Sequence, residues 1–381
     1  MPDAPNTPPP DLHVDEGVCT VMFAFDIARA IDLDLAERLI ASIADADGHR
    51  ETVRNSRRAP EHFDYRPLPL CITRPAAALE VGGFHTGPTL ELTLYDFGAV
   101  SVAFMFPLAG PFARLRDLSA ALYENESLLN EARSQLDRLM QDLHEALDRP
   151  DVVPIAEDYH VFHIARATLP DGVPTYDAFV DANRALVAGI LRSERDPFSA
   201  QEIGEALAAR LSYGEHDLTL IDWNASIVFD RAAADTLSVL EFANVELLEL
   251  RALDDKLDRS LDEAYRIVQH PPTIASRYTG GAGRLRRVAR LQMDSAALFE
   301  GVNNALKLVG DQYLARLYRL AAQRLHLPDW DTTVLRKLGT LDSVYQKLAD
   351  RQANTRMEIL EWIIILLIAF EVVRAILHEG L

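Results

Sequence analysis

Residues 360–377, LEWIIILLIAFEVVRAIL, limit what this chain can become more than any other segment, because nine consecutive side chains from Trp362 to Phe370 carry neither charge nor amide. Such a run has to be covered by lipid, by the rest of the chain or by another copy. A hydrocarbon core of about 30 Å takes about 20 apolar residues, and residues 362–377 reach about 24 Å as a helix. Short of that length, Trp362, Ile363, Ile364, Ile365, Leu366, Leu367, Ile368, Ala369 and Phe370 are still read as the centre of a C-terminal transmembrane helix over 359–377, with membrane lipid as a partner, against the alternative of a buried helix in a soluble oligomer. Glu371 and Arg374 interrupt the remainder of the segment. A carboxylate inside a bilayer costs about 2.5 to 3.5 kcal/mol on insertion scales, and a three-residue spacing sets the two on one helical face, so they are expected to pair there. Lys347, Arg351 and Arg356 precede the segment and Arg374 lies within it. The positive-inside rule then puts the body on the cytoplasmic face, as a single-pass, tail-anchored protein.

The same helix has the most regular pattern in the chain. Leu338, Leu341, Tyr345, Leu348, Gln352, Thr355, Ile359, Trp362, Leu366, Ala369, Val373 and Ile376 form a three-four repeat, a coiled-coil or bundle signature. No proline or glycine lies between Thr340 and Glu379, which predicts one helix over 331–377 of about 70 Å. The seam through Leu341, Leu348, Ile359 and Trp362 is expected to join copies into a homo-oligomer. Intrachain packing competes for its first half, since helices read over 232–269 and 285–325 offer an antiparallel bundle.

Ahead of this region the pattern is mixed. FDIARA at 25–30 returns as FHIARA at 162–167, and LTLYDFGAVSV at 92–102 returns as LTLIDWNASIV at 218–228, in the same order. The second pair alternates around Asp-aromatic-Gly or Asp-aromatic-Asn, where Gly and Asn tolerate the positive φ of tight hairpin turns. The expected architecture is α+β, with two duplicated hairpin-containing units followed by a long-helix bundle or coiled coil that ends in the membrane helix. The boundaries are a disordered Pro-rich tail at 1–16, a first unit at 17–150, a second at 151–230, a long-helix region at 231–358 and the terminal helix at 359–377. The polar, Arg-rich stretch at 47–67 is read as a loop, and PPTIASRYTGGAGRL at 271–285 as a linker.

A net charge of −20 sets the chain against phosphate backbones, so no nucleic-acid partner is expected. Two cysteines, Cys19 and Cys71, are too few for a disulfide framework or a Cys-rich zinc site.

The strings TRMEILEWIIILLIAFEVV, LTLYDFGAVSVAF and VLEFANVELLELRALDDKLDRSLDEAY resemble the family of proteins required for meiotic nuclear division, found in fungi, mitochondria and bacteria. The resemblance implies a C-terminal membrane helix carrying a self-associating body, and it brings no catalytic residues. The N-terminus has neither a secretory signal nor an Arg-rich transit pattern, which marks a bacterial-type member at the inner membrane.

Candidate chemistry is sparse. Asp96-Phe97-Gly98 spells the magnesium-binding triplet of protein kinases without its partner motifs, and is read as a hairpin turn. Gly280-Gly281-Ala282-Gly283 precedes a basic stretch with Arg284, Arg286, Arg287 and Arg290 but has no phosphate-loop spacing, so it reads as a solvated linker, with anionic lipid as the alternative. His160 and His163 fall on opposite faces of a predicted strand. Glu241, Glu246 and Glu249 read as the wet edge of a helix rather than a metal cage. No catalytic, cofactor-binding or metal-ligating set is expected. The sequence reads as a membrane-tethered, self-associating scaffold or adaptor and not an enzyme. A soluble enzyme with a loop-assembled site and a ribosome- or RNA-associated adaptor are the rivals.

Overall fold

The computed structural model describes residues 11–42, 47–50, 68–269 and 312–379, with the isolated positions 286, 289 and 293. Residues 1–10 of the Pro-rich tail, 51–67 of the Arg-rich stretch, the 271–285 linker with its glycines, and most of the helix read over 285–325 lie outside the described residues. Two compact units divide the chain: Met1–Ala252 with Gly301–Trp330, and Leu253–Glu300 with Asp331–Leu381.

The first unit is built on a nine-stranded sheet. Its central strand β1 (His13–Asp26) leads to the short β2 (Ala28–Ile31), helix α1 (Leu33–Ala41) and β3 (Asp47–Arg50). Then come β4 (Leu70–Pro75), the two-residue strands β5 (Glu80–Val81) and β6 (Phe84–His85), and the hairpin β7 (Thr89–Leu94) and β8 (Ala99–Pro111). Next are helices α2 (Leu115–Leu122) and α3 (Glu126–Asp142), then β9 (Leu147–Pro150), β10 (Ala156–Thr168), α4 (Tyr176–Ala182), α5 (Arg184–Leu191) and α6 (Ala200–Ala206). The short β11 (Arg210–Leu211) and a second hairpin, β12 (Leu218–Ile221) and β13 (Ala225–Phe229), complete the described strands. Among the described residues, three helices come after them: α7 (Ala234–Gln269), α8 (Gln312–Arg324) and α9 (Leu327–Glu379). Side-chain caps start several of the shorter helices. Asp32 accepts from the Leu35 amide at 3.0 Å and Asn125 from the Leu128 amide at 3.0 Å, each satisfying an amide that a first helical turn leaves unpaired.

The sheet order is β11-β12-β13-β10-β1-β8-β7-β4-β3, antiparallel throughout except where β13 runs parallel to β10. Period-two alternation decides what each face holds. Cys19, Val21, Phe23 and Phe25 of β1 join Val100, Val102, Phe104 and Phe106 of β8 under α1 to α5. On the other face Met22, Ala103, Tyr159 and Val161 meet Leu240 and Ala243 of α7 and Leu314 and Leu317 of α8, while Ala24 and Ala99 meet Phe242, Val245 and Leu248. The unit is therefore helix, sheet, helix, and the α+β class holds.

The duplication does not. Both hairpins are present, but β8 meets β1 antiparallel while β13 meets β10 parallel, so the two halves have different topologies. FDIARA crosses from the end of β1 into β2, which pairs with β9 in a separate sheet, whereas FHIARA sits inside continuous β10. Alternation closed by a tight turn is a general solution to hairpin formation, and that is enough to account for the similar strings.

The glutamates of α7 are a second correction. Glu246 and Glu249 are 2% and 5% exposed, because the sheet lies on one side of this stretch and α8 on another. The Tyr318 hydroxyl donates to Glu246, and Thr93 donates to Glu241 at 3.5 Å.

In the second unit, Leu253, Leu257 and Ala264 of α7 pack on Val334, Leu341 and Val344 of α9. Lys337 lies 2.6 Å from both Asp254 and Asp258, one helical turn apart on α7. The α9 helix begins with Pro328 in its first turn, where a missing amide proton costs nothing.

No helix among the described residues is long and apolar enough to cross a membrane. In α9, any 18-residue window holding Trp362 to Phe370 also holds at least three charged side chains, drawn from Arg356, Glu358, Glu361, Glu371, Arg374 and Glu379. This overturns the tail anchor and the placement at the cytoplasmic face of a bacterial inner membrane.

Candidate functional site

Of the seam residues, Leu341 is fully buried inside its own chain, in the cluster with Leu253, Leu257 and Val344. The side chains of Leu348 and Ile359 lie outside the described residues. Beyond them the apolar run emerges uncovered. Ten large apolar side chains among residues 362–373, from Trp362 to Val373, are 49–66% exposed, and Ala369 among them is exposed too. Glu371 and Arg374 are also exposed, and no ion pair joins them among the described residues. The helical seam thus changes role along α9, from internal packing at Leu338, Leu341 and Tyr345 to an open apolar surface at Trp362, Leu366, Ala369 and Val373.

Sequence reading misses a second feature, inside the first unit. Strands β12 and β13 are buried along their whole length, so their turn, Asp222-Trp223-Asn224, carries a carboxylate into the core. Asp222 is 0% exposed. Its amide donates to the Ala225 carbonyl at 2.9 Å and its carboxylate accepts from the Trp223 amide at 2.9 Å, fixing the turn. Arg192, the residue after α5, donates from Nε to Asp222 Oδ2 at 2.9 Å and also pairs with Glu202. Arg324, the last residue of α8, pairs with Asp222 Oδ1. The Tyr159 hydroxyl donates to the Asp222 carbonyl at 2.9 Å, and burial pushes its pKa up. Burial works to lower the Arg192 pKa, but the hydrogen bonds and charge of Asp222 and then Glu202 outweigh it and hold it above its ordinary value.

A hydroxyl chain adjoins this hub. Asn224 Nδ2 donates to Ser193 Oγ at 2.5 Å, Ser193 Oγ lies 2.9 Å from Ser119 Oγ, and Ser119 donates to the Ile190 carbonyl at 2.6 Å. Ser119 spends its one proton on Ile190, so Ser193 is the donor between the two serines. Ser193 holds φ 56°, a conformation that side chains with a Cβ seldom take. Two cations and two carboxylates balance at Asp222, which makes the cluster a brace between the β12–β13 turn, α5, α6 and α8. An Asp between two mostly apolar strands is the signal available in the sequence, since a buried carboxylate demands cations.

The remaining candidates resolve simply. Asp96-Phe97-Gly98 is the β7–β8 turn, closed by Tyr95 N to Ala99 O at 3.0 Å and Gly98 N to Tyr95 O at 3.1 Å. His160 is fully buried, its amide donates to the Asn224 carbonyl at 3.3 Å, and Asp158 Oδ2 stands 3.4 Å from its Nε2. Neither ring nitrogen has a hydrogen-bond partner among the described residues. His163 points the other way, with Nε2 2.7 Å from the Asp230 carbonyl. Among the described residues no group of three or more His, Cys, Asp or Glu is placed to hold a metal ion. Glu157 of β10 pairs with Arg251 of α7, and its pKa is pushed up to about 7, chiefly by burial, with Arg251 opposing and Asp158 adding.

A three-layer unit with its charges closed inward defines a class of fold, and likeness to known proteins places it. The chain belongs to the family described as uncharacterized protein MJ0711, N-terminal domain, which matches residues 16–236. It is 23% identical over 267 residues to the uncharacterized protein MJ0711 of Methanocaldococcus jannaschii, covering 68% of this chain and 75% of that one. No solved structure matches. These matches overturn the resemblance to proteins required for meiotic nuclear division, whose supporting strings were an apolar helix, a hairpin and an amphipathic helix that many folds share.

Proposed function

We propose that the protein is a self-associating scaffold with no reaction of its own, whose copies meet through the C-terminal part of α9. The exposed run from Trp362 to Val373 carries this reading. A contiguous apolar surface of that extent exceeds the few hundred Å² that monomers commonly leave in water. Covering the exposed half of a large apolar side chain is worth about 1 kcal/mol. The seven of these on or beside the seam, on each of two copies, compare with the roughly 4 to 15 kcal/mol that association costs in lost freedom. The inward closure of the Asp222 brace supports the non-enzymatic part, since both arginines are already engaged by carboxylates.

Sedimentation of the full chain through the micromolar range tests it. A mass that is a multiple of 42.5 kDa is expected, falling to a single chain when Leu366 and Val373 are both changed to Lys. A native chain that stays single at every concentration, or that becomes single by moving onto lipid vesicles, overturns the proposal.

A further inference from the structure

The open part of α9 also has a direction. We infer that the copies meet antiparallel, crossing at the Leu367–Ile368 peptide; this rests on the reading of α9 as a contact between copies. The seam positions Trp362, Leu366, Ala369 and Val373 are all exposed and share one face. They differ greatly in volume. In a parallel, in-register pair, Trp362 would meet Trp362 and Ala369 would meet Ala369, placing an overfilled layer and a void two turns apart. Overfilling and voids both weaken packing. Reversing one helix about residues 367 and 368 sets Trp362 against Val373 and Leu366 against Ala369, so that each layer takes one large and one small side chain. Earlier along the same helix the seam passes through Leu338, Leu341 and Tyr345, which belong to the packed cluster inside the chain.

Nitroxide labels on Leu360→Cys, Leu367→Cys and Arg374→Cys, each in the full chain, read the direction. These positions are seven apart and share a face outside the seam, and Cys19 and Cys71 are buried and do not compete for label. An antiparallel pair offsets like labels along the axis by about 22 Å at 360, about 1.5 Å at 367 and about 20 Å at 374. The expected pattern is long, short, long. Three similar distances overturn the antiparallel arrangement while leaving self-association intact, and no intermolecular distance at any site overturns self-association itself. A volume swap gives an independent reading. Ala369→Leu should weaken association by about tenfold or more, because it meets Leu366 of the other copy, and adding Leu366→Ala should restore it to within about twofold. Tighter association by Ala369→Leu alone would mean that Ala369 faces itself, and would refute the inference.

Discussion

Changing Asp222 to Asn tests the brace most directly. Asparagine keeps the volume and an oxygen for the Trp223 amide, and removes only the charge that two guanidinium groups converge on. Arg192 would keep Glu202, and its side chain is 13% exposed. Arg324 would lose the carboxylate at its Nη2 and is 24% exposed, so water can reach it only in part. Leaving one partner of a buried pair uncompensated costs about 3 to 5 kcal/mol. Partial rehydration of Arg324 puts the expected loss near the lower end, about 3 kcal/mol, a large share of the roughly 5 to 15 kcal/mol that holds a domain folded. Urea unfolding followed by far-ultraviolet circular dichroism reads it as a lower midpoint at unchanged slope. The brace also predicts coupling. Arg324→Leu alone strands part of the Asp222 charge, and in the double variant Arg192 and Glu202 balance, so the two losses should sum to at least about 1.5 kcal/mol more than the double variant shows. An Asp222→Asn loss below about 1 kcal/mol, or additive losses, would refute a charge-balanced brace.

Gly98→Ala should destabilise the chain by at least about 2 kcal/mol in the same assay, because Gly98 holds φ 108° and a Cβ would stand 1.8 Å from the Ala28 carbonyl oxygen; a change within about 0.5 kcal/mol would show that the turn can shift. Glu157 binds a proton in the folded chain up to about pH 7 and in the unfolded chain only near its ordinary value of 4.5, so its contribution falls as pH rises from 4.5 to 7, by on the order of 2 to 3 kcal/mol. Glu157→Gln should flatten that part of the stability profile, and an unchanged slope between those limits would remove Glu157 as its source. Leu341→Ala should cost about 2 to 5 kcal/mol without altering the sedimenting mass, since Leu341 packs on Leu253 and Leu257 of its own chain; loss of the oligomer would return Leu341 to the contact between copies.

What the sequence reveals depends on how local the governing physics is. Alternation in β1 and β10 and the turn chemistry at Asp96-Phe97-Gly98 depend on neighbours within a few residues, so strands and hairpins are legible. The pairing of β13 with β10 is parallel because the chain passes through α4, α5 and α6 between them. Nothing within LTLIDWNASIV records that detour, and the repeated strings therefore look equivalent when their surroundings are not. Asn224 shows the same limit: local turn chemistry expects a positive φ there, but it is absent from the left-handed positions, and its amide instead reaches Ser193. Glu246 and Glu249 escape the sequence for a related reason, since a helix read alone has one wet edge and α7 is enclosed by a sheet and a second helix. Arg192 and Arg324 are 132 residues apart in sequence and meet only at Asp222.

The terminal helix shows how one composition serves two environments. A helix in lipid has no use for Glu361, Glu371 and Arg374, and each would be costly there. Projected at 100° per residue, all three fall on the side of α9 away from Trp362, Leu366, Ala369 and Val373. A helix that packs on another protein surface needs that arrangement, because its outer side stays in water while its seam does not. The charges that disqualify the segment as a span therefore mark the side of the helix away from the seam, which Ile364, Leu367 and Ile368 also share. The run stays apolar on either side of the seam, at Ile363, Ile365, Phe370 and Val372, and this broad face is the one that the proposed contact between copies would cover.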